Sequence, residues 1–199
     1  MTIYFIRHGE TDWNRQGRLQ GLEDIELNEN GIRQAEICGQ AFQSVSIDKI
    51  ITSPLVRAKR TAEIIASHTG NPEVIVDADF IERDFGKLSG LTPEEMKRVN
   101  VSRKNSEMEN WDHLTGRAIN ALYRYGSGNF GKNLIIVSHG ALINAVLAVL
   151  SNHEIGTGKT ILKNTCVNIL HISGKTIQIM SHNLTPQESI EAIGRQPRR

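Results

Sequence analysis

Arg7-His8-Gly9-Glu10-Thr11 follows the apolar run Ile3-Tyr4-Phe5-Ile6, so a guanidinium and an imidazole stand where a buried strand has just surfaced into a tight turn. Far along the chain, Leu134-Ile135-Ile136-Val137 runs into Ser138-His139-Gly140 in the same way. Arg7 keeps its charge at any ordinary pH and its planar fork matches two phosphoryl oxygens, whereas His8 can be neutral near pH 7 and attack through a ring nitrogen. Together they can hold and attack a phosphoryl group. Arg57 lies one turn into the helix that Ser53-Pro54 would open, near the positive end of its dipole, and can share the same dianion. His139 can donate to a phosphoryl oxygen as that oxygen gains charge, and losing one such donor slows a reaction roughly 100- to 1,000-fold. Taken singly, a histidine at a strand end or an arginine in a first helical turn is an ordinary structural or solvated residue. Convergence on one pocket is what gives them a chemical meaning.

A leaving alkoxide also needs a proton. The run Phe80-Ile81-Glu82-Arg83-Asp84-Phe85-Gly86 offers carboxylates among aromatic neighbours, and Glu82 is the expected general acid. The competing reading of Glu82 is a surface ion pair with Arg83 or Lys87.

These side chains need strands and helices to carry them. Residues 3–6 read as a buried strand, and Ile32, Ala35, Cys38 and Phe42 recur at helical spacing behind Asn28, a capping residue. Asp48 to Thr52 is a second short strand, and Ser53-Pro54 reads as an N-cap followed by proline at the first helical position of a helix reaching about Thr69, stopped by Gly70. Glu73 to Val76 gives a third strand. Trp111, Leu114, Ala118, Ala121, Leu122 and Tyr125 trace a helix face that ends before Gly126, and Ala141 to Leu150 is apolar nearly all round, as a helix buried on more than one side must be. Cys166 to Ile172 and Thr176 to Met180 read as a hairpin about Ser173-Gly174-Lys175, which adds antiparallel pairing. The expected fold class is α/β, a three-layer sandwich with a mostly parallel central sheet and helices on both faces. Ligands bind outside the carboxyl ends of the strands in such sheets, where His8, Ser53-Pro54 and His139 all fall.

A chain of 199 residues without a Pro/Gly/Ser linker reads as one domain over 1–199, and a formal charge of +1 lacks the basic excess of a nucleic-acid binder. Any anion must be attracted locally. The first apolar run is too short for a signal peptide and no later run approaches a membrane span, so the expected location is the cytoplasm. Cys38 and Cys166 show neither disulfide nor zinc spacing and read as core residues, and the basic end from Arg195 to Arg199 reads as a solvated tail.

The motifs carry a resemblance. Arg7-His8-Gly9-Glu10-Thr11 with Asn14, Gly17-Arg18-Leu19-Gln20-Gly21, Leu27-Asn28 with Gly31 and Gln34-Ala35, Thr52-Ser53-Pro54-Leu55 with Arg57-Ala58 and Thr61-Ala62, the Glu82 segment with Phe85-Gly86 and Gly90, and Val137-Ser138-His139-Gly140 resemble, in order and spacing, the histidine phosphatase superfamily, also called the phosphoglycerate mutase-like family. The likeness covers most of the chain and is weakest between Leu91 and Asn110. It implies that His8 becomes transiently phosphorylated, that Arg7, Arg57 and His139 bind the phosphoryl group with Asn14 in contact, and that Glu82 supplies and then recovers the proton. Gln20 either touches the phosphate or is a solvated turn residue. No metal or other cofactor is implied; the implied partner is a small phosphorylated metabolite, and monomer or homodimer stays open.

Within that resemblance, hydrolysis of small phosphomonoesters is expected over phosphoglycerate mutation. Mutase-type members carry a tyrosine where Phe85 stands, a lysine where Pro93 stands, and a longer insertion before the second histidine. The short stretch from Gly90 to Arg117 leaves room for water, and a small lid is expected at about 87–115. The opening motif resembles both α-ribazole phosphatases and broad-specificity phosphatases. Lys97, Arg98, Arg103 and Lys104 would either bias the rim toward polyanions or form a solvated helix face. Ala141 replaces a second glycine found in many members.

Other classes fit less well. Gly156-Thr157-Gly158-Lys159-Thr160 ends like a nucleotide-binding loop, but His153 stands where the pattern needs glycine and the segment follows a helix. Gly126-Ser127-Gly128 with Gly131 reads as a helix-to-strand loop, and His68, His113, His153, His171 and His182 show no metal-ligand spacing. A non-catalytic phosphate-binding module is the remaining alternative, set against it by the intact His8, Arg57, Glu82 and His139.

Overall fold

Alternate residues of β1 (Thr2–Arg7) enter different cores: Ile3 and Phe5 pack with Leu114, Leu122 and Val146, whereas Tyr4 and Ile6 pack with Cys38, Phe42 and Ala62. A strand buried on both sides requires helices on both faces of its sheet. The computed structural model describes residues 1–98, 107–128 and 132–194 and supplies them: α2 (Glu29–Phe42), α3 (Val56–His68) and α7 (Pro186–Gly194) on one face, α5 (Trp111–Ser127) and α6 (Gly140–Leu150) on the other. The remaining strands are β2 (Lys49–Thr52), β3 (Glu73–Val76), β4 (Asn133–Ser138), β5 (Val167–Ser173) and β6 (Thr176–Leu184), and two short helices, α1 (Asp12–Arg15) and α4 (Pro93–Arg98), lie in the connections.

The sheet runs in the order β3-β2-β4-β1-β5-β6. The first four strands are mutually parallel, while β5 pairs antiparallel with both β1 and β6. Because β4 lies between β1 and β2, with Arg7 opposite Ser138 and Thr52 opposite Val137, the carboxyl ends of three strands stand in a row. The chain leaves β1 toward the α2 face and leaves β4 toward the α6 face. Neighbouring strands whose connections depart to opposite faces leave a crevice at their ends, the preferred ligand site of an open α/β sheet.

Several boundaries differ from the sequence expectation. Ser53 does not cap α3: the helix starts at Val56, whose N–H donates to the Asp24 carboxylate (2.6 Å), and Leu55 holds the cap position. Arg57 is therefore the second helical residue rather than one full turn in. Gly126 and Ser127 belong to α5 instead of a loop, and α1 and α7 carry no signal strong enough to be read from sequence. Cys38 and Cys166 are buried, and desolvation pushes their thiols up to about 12 and about 11, as inert core residues require. The Gly156 to Thr160 segment closes on itself, the Gly156 N–H donating to the Thr160 hydroxyl (2.9 Å) and the Thr160 N–H to the Gly156 carbonyl (2.8 Å). Arg103, Lys104, Gly131, the middle of the expected lid and the basic end fall outside the described residues. No described helix is long and apolar enough to cross a membrane.

Candidate active site

The turn after β1 is shaped by two glycines. A Cβ on Gly9 would lie 2.4 Å from the Gly31 carbonyl oxygen, and one on Gly31 would lie 2.1 Å from that of Glu10, so the turn can press against the start of α2 only because both side chains are missing. Thr61 on α3 ties the turn down from the other side, accepting the Gly9 N–H at 3.1 Å. His8 emerges buried, its Nδ1 2.6 Å from the Gly9 carbonyl. That oxygen can only accept, so Nδ1 carries the proton and Nε2 keeps its lone pair. No described residue hydrogen-bonds Nε2. Burial, with the Arg57 and Arg7 charges behind it, holds the ring well below the ordinary histidine pKa. A neutral imidazole nitrogen with a bare lone pair is chemically able to act as a nucleophile.

His139 faces it, the ring centroids 5.1 Å apart. Both of its nitrogens are occupied. Arg57 Nε donates to Nδ1 (3.2 Å), and since a guanidinium can only donate, Nε2 bears the proton and donates to the Ser53 hydroxyl (2.7 Å). The expectation that His139 offers a free N–H to a ligand therefore does not hold for this arrangement. Ser53, read from sequence as a helix cap, instead orients this ring. Burial and then the Arg57 charge depress the His139 pKa well below its usual value.

Arg57 is the largest fully buried side chain. An isolated buried cation would cost several kcal/mol, which carbonyl partners offset here: Nη1 donates to Glu23 O (2.6 Å) and Nη2 to Gly21 O (2.8 Å). Desolvation still lowers its pKa to about 10, so it remains charged at neutral pH. Arg7 is less completely satisfied. Its Nη1 donates to Leu162 O at 2.6 Å, but Nε is buried without a partner among the described residues. Gly140 permits this placement, since a Cβ there would sit 3.3 Å from the same nitrogen. A buried, unpaired cationic N–H is an expensive thing to keep unless an anion uses it.

Glu82 is buried with its carboxylate turned to backbone amides, which overturns the surface reading. Arg83 donates to Glu109 O (2.8 and 3.1 Å), and Lys87 pairs with Glu107. The Glu82 carboxylate caps α6 from a distance, Oε1 accepting from Leu142 N (3.0 Å) and Arg83 N (2.9 Å), and Oε2 from Ala141 N alone (3.1 Å). Oε2 keeps the spare lone pair. Two first-turn amides of α6, those of Ala141 and Leu142, are thus spent on Glu82 rather than left for a ligand.

Asn14 and Gln20 both turn their amide oxygens to Thr11: Asn14 Oδ1 accepts the Thr11 N–H (3.1 Å), and the single hydroxyl proton of Thr11 is shared between Asn14 Oδ1 (3.2 Å) and Gln20 Oε1 (3.1 Å). Asn14 Oδ1 also accepts from Asn164 Nδ2 (3.3 Å), which bonds the His8 carbonyl as well (3.0 Å). With the oxygens fixed, each amide can present its NH2 to the pocket. Asn164 sits in a loop before β5 that carries no motif, and no sequence signal would have found it. Arg117 on α5 was missed for the same reason: its guanidinium holds the carbonyls of Asp79, Ile81 and Glu82 (2.7, 2.8 and 3.2 Å) and the Glu109 carboxylate (2.8 and 3.0 Å).

The expected residues meet in one cleft of about 170 Å³, lined by Arg7, His8, Asn14, Gln20, Arg57 and Glu82, with Leu19, Phe85 and Arg18 on its wall. His139 backs it through Arg57, its ring tilted 58° to that of His8, without lining it. Among the described residues no group of three or more His, Cys, Asp or Glu side chains could hold a metal ion. The arrangement is a small cleft with several cationic or amide donors able to take an anion, an imidazole nitrogen able to attack it and a buried carboxyl.

Comparison with known proteins gives the same picture. The family model described as histidine phosphatase superfamily (branch 1) matches residues 3–185. The chain is 38% identical over 182 residues to the uncharacterized phosphatase PhoE of Bacillus subtilis (strain 168), covering 92% of this chain and 94% of that one. It is 34% identical to a metal-independent phosphoserine phosphatase of Arabidopsis thaliana, covering 85% of this chain and 76% of the relative. Among solved structures, a phosphoserine phosphatase mutant from Entamoeba histolytica in complex with phosphoserine superposes with a TM-score of 0.80 at 31% identity, covering 92% and 97% of the two chains.

Proposed function

Since the chain belongs to the histidine phosphatase superfamily, we propose that it hydrolyses small phosphomonoesters by way of a phosphohistidine at His8. The observation that carries this reading is the pairing, in one cleft, of an unprotonated His8 Nε2 with the unpartnered Arg7 Nε. The substrate phosphoryl group enters with its oxygens toward Arg7, Arg57 and the Asn14 and Gln20 amides. Approach of a dianion opposes the depression of the His139 pKa, so Nδ1 takes a proton from solvent, the Arg57 Nε–H that it now accepts turns to a phosphoryl oxygen, and the Nδ1–H donates to the same phosphoryl group while Nε2 stays on Ser53. His139 then acts by stabilising charge in the transition state.

In the first step His8 Nε2 bonds to phosphorus and the ester P–O bond breaks; Glu82, which takes up a proton from solvent at the spare lone pair of Oε2 before reaction, gives it to the departing alkoxide and is left as the carboxylate. In the second, water attacks phosphorus, the P–N bond breaks, and Glu82 takes up the water proton. Phosphate and alcohol leave, and both residues return to their starting state. Every step runs on side chains of this protein, with the positioned groups worth most where charge develops.

The test is turnover of p-nitrophenyl phosphate by the wild type and His8→Ala. The variant should lose at least about 1,000-fold in kcat, and radiolabelled substrate quenched in alkali should mark the wild type only. Product formation without any labelled protein would exclude the covalent route. For the mutase alternative, interconversion of 2- and 3-phosphoglycerate in the presence of 2,3-bisphosphoglycerate should stay well below hydrolysis. Phe85, apolar on the cleft wall, supports that expectation.

A further inference from the structure

Thr11 ends the run that begins at Arg7, yet the proposed reaction gives it no part. It is fully buried and does not line the cleft, while the two amides it bonds, Asn14 and Gln20, do. Its side-chain oxygen accepts the Asn14 N–H (3.2 Å) as the cap of α1, which leaves one hydroxyl proton for two carbonyl oxygens, Asn14 Oδ1 at 3.2 Å and Gln20 Oε1 at 3.1 Å. The two oxygens do not need it equally. Asn14 Oδ1 also accepts the Thr11 N–H (3.1 Å) and Asn164 Nδ2 (3.3 Å), enough to occupy both lone pairs of a carbonyl oxygen. Gln20 Oε1 has no other donor among the described residues, and Gln20 is buried. A bare acceptor there costs more than the loss of one donor at an oxygen that keeps two others, so the proton belongs to Gln20.

We propose that Thr11 is a positioning residue of this site, its hydroxyl deciding which end of the Gln20 carboxamide faces the phosphoryl group. This role rests on the cleft being a phosphoryl site, and it adds to that reading a residue that touches no ligand. Held by Oε1, the Gln20 amide turns its NH2 into the cleft, the end that a dianion can accept from. Asn164 belongs to the same device although it does not line the cleft: by serving Asn14 from a loop 150 positions along the chain, it releases the Thr11 proton for Gln20. Asn14 itself depends less on that hydroxyl, because the backbone N–H of residue 11 fixes its oxygen whatever side chain stands there. The two amides are thus held in unequal ways, Asn14 by backbone and Gln20 by a single hydroxyl.

Gln20 has a second arrangement within reach. With the Thr11 proton turned to Asn14, the Gln20 amide could rotate and donate from Nε2 to the Thr11 oxygen, leaving Oε1 toward the cleft. That arrangement satisfies the same atoms but points the negative end of the amide dipole at an incoming dianion. The Asn164 bond separates the two, since it fills Asn14 and removes the reason for the proton to turn. Without a hydroxyl at position 11 neither end of the Gln20 amide is held, and the ligand itself has to select and immobilise the productive one. Ordering one such side chain lowers affinity by roughly 3- to 10-fold.

Inorganic phosphate is the probe, its affinity measured by calorimetry for the wild type, Thr11→Val and Thr11→Ser, each also combined with Gln20→Ala. Gln20→Ala alone is expected to lose roughly 10- to 100-fold, as removal of a hydrogen bond to a charged ligand does. Thr11→Val should lose roughly 3- to 10-fold, and Thr11→Ser almost nothing, because serine keeps both the cap and the proton. In the Gln20→Ala background the loss from Thr11→Val should vanish. Valine also removes the acceptor for the Asn14 N–H, so the urea midpoint falls, by the same amount in either background. A purely structural role would carry the affinity loss into both backgrounds as well. Should Thr11→Val not fold, Thr11→Gly repeats the cycle with a residue that helix caps tolerate and that has no hydroxyl. Losses that add in the double variants overturn the proposal, as does unchanged phosphate affinity in Gln20→Ala. Absence of phosphate binding and of p-nitrophenyl phosphate turnover in the wild type overturns the phosphoryl site and this role together, whereas a working site with additive losses overturns this role alone.

Discussion

Glu82 shows how one side chain can be asked to serve two ends. Its carboxylate closes the start of α6 through Ala141 and Leu142 and, in the proposed mechanism, carries the proton that moves. Glu82→Gln places an NH2 where one of those amide N–H groups now donates, and removes the proton carrier. The expected result is a loss of roughly 100- to 10,000-fold for alkyl phosphates. The loss should be much smaller for p-nitrophenyl phosphate, since nitrophenolate departs without a proton. Equal losses for both substrates, in steady-state kinetics, would mean that Glu82 acts through the helix alone. Ser53 teaches a similar lesson about sequence: Ser53-Pro54 has the form of a helix start, yet its hydroxyl is spent on a histidine from another strand. Local pattern cannot reveal a partner 86 positions away.

At the scale of elements, the Glu82 segment is held from outside by α5. Arg117 bridges three carbonyls of that segment to the Glu109 carboxylate, and both side chains of the ion pair are about one-tenth exposed. Removing one partner of a nearly buried pair strands the other, which typically destabilises by about 3–5 kcal/mol. Arg117→Ala should therefore lower the urea midpoint and reduce turnover together, and Arg117→Lys should rescue little, because an ammonium cannot reach the carbonyls and the carboxylate with a planar fork. A variant with unchanged stability but poor turnover would point to direct contact with substrate instead. The helix itself was legible from its apolar stripe; the role of Arg117 on its other face was not, since an exposed-looking arginine in a helix has no spacing that marks it.

The whole molecule carries a pH signature that belongs to no single contact. Folding depresses the pKa of both His8 and His139 below the ordinary value of about 6.5. Between the native and unfolded pKa values the unfolded chain binds protons that the native protein does not. The associated stability is thus fully present above about pH 6.5 and is lost as pH falls toward the depressed native values, by up to about 1.4 kcal/mol per pH unit for each histidine. Urea midpoints should decline between pH 7 and 5.5, less steeply in His139→Asn, and inorganic phosphate should flatten the decline by favouring protonated His139. A midpoint constant over that range would show that the two rings are not held neutral by the fold.

Much of this organisation is written locally. The strand ends at Arg7-His8 and Ser138-His139, the amphipathic α2, α3 and α5, the β5–β6 hairpin and the carboxylate-bearing run around Glu82 each follow from residue type and period, because hydrophobic burial acts on patterns a few residues long. Sheet order was not written there. Inserting β4 between β1 and β2 brings His139 beside His8 and sends α6 to the opposite face from α2, and only that arrangement decides which tautomer each histidine adopts, that Glu82 caps a helix instead of pairing on the surface, and that Asn164, Arg117 and Arg18 join the site. Hydrogen-bond partners depend on distances of a few ångström between segments far apart in the chain, and those distances exist only once the layers have packed.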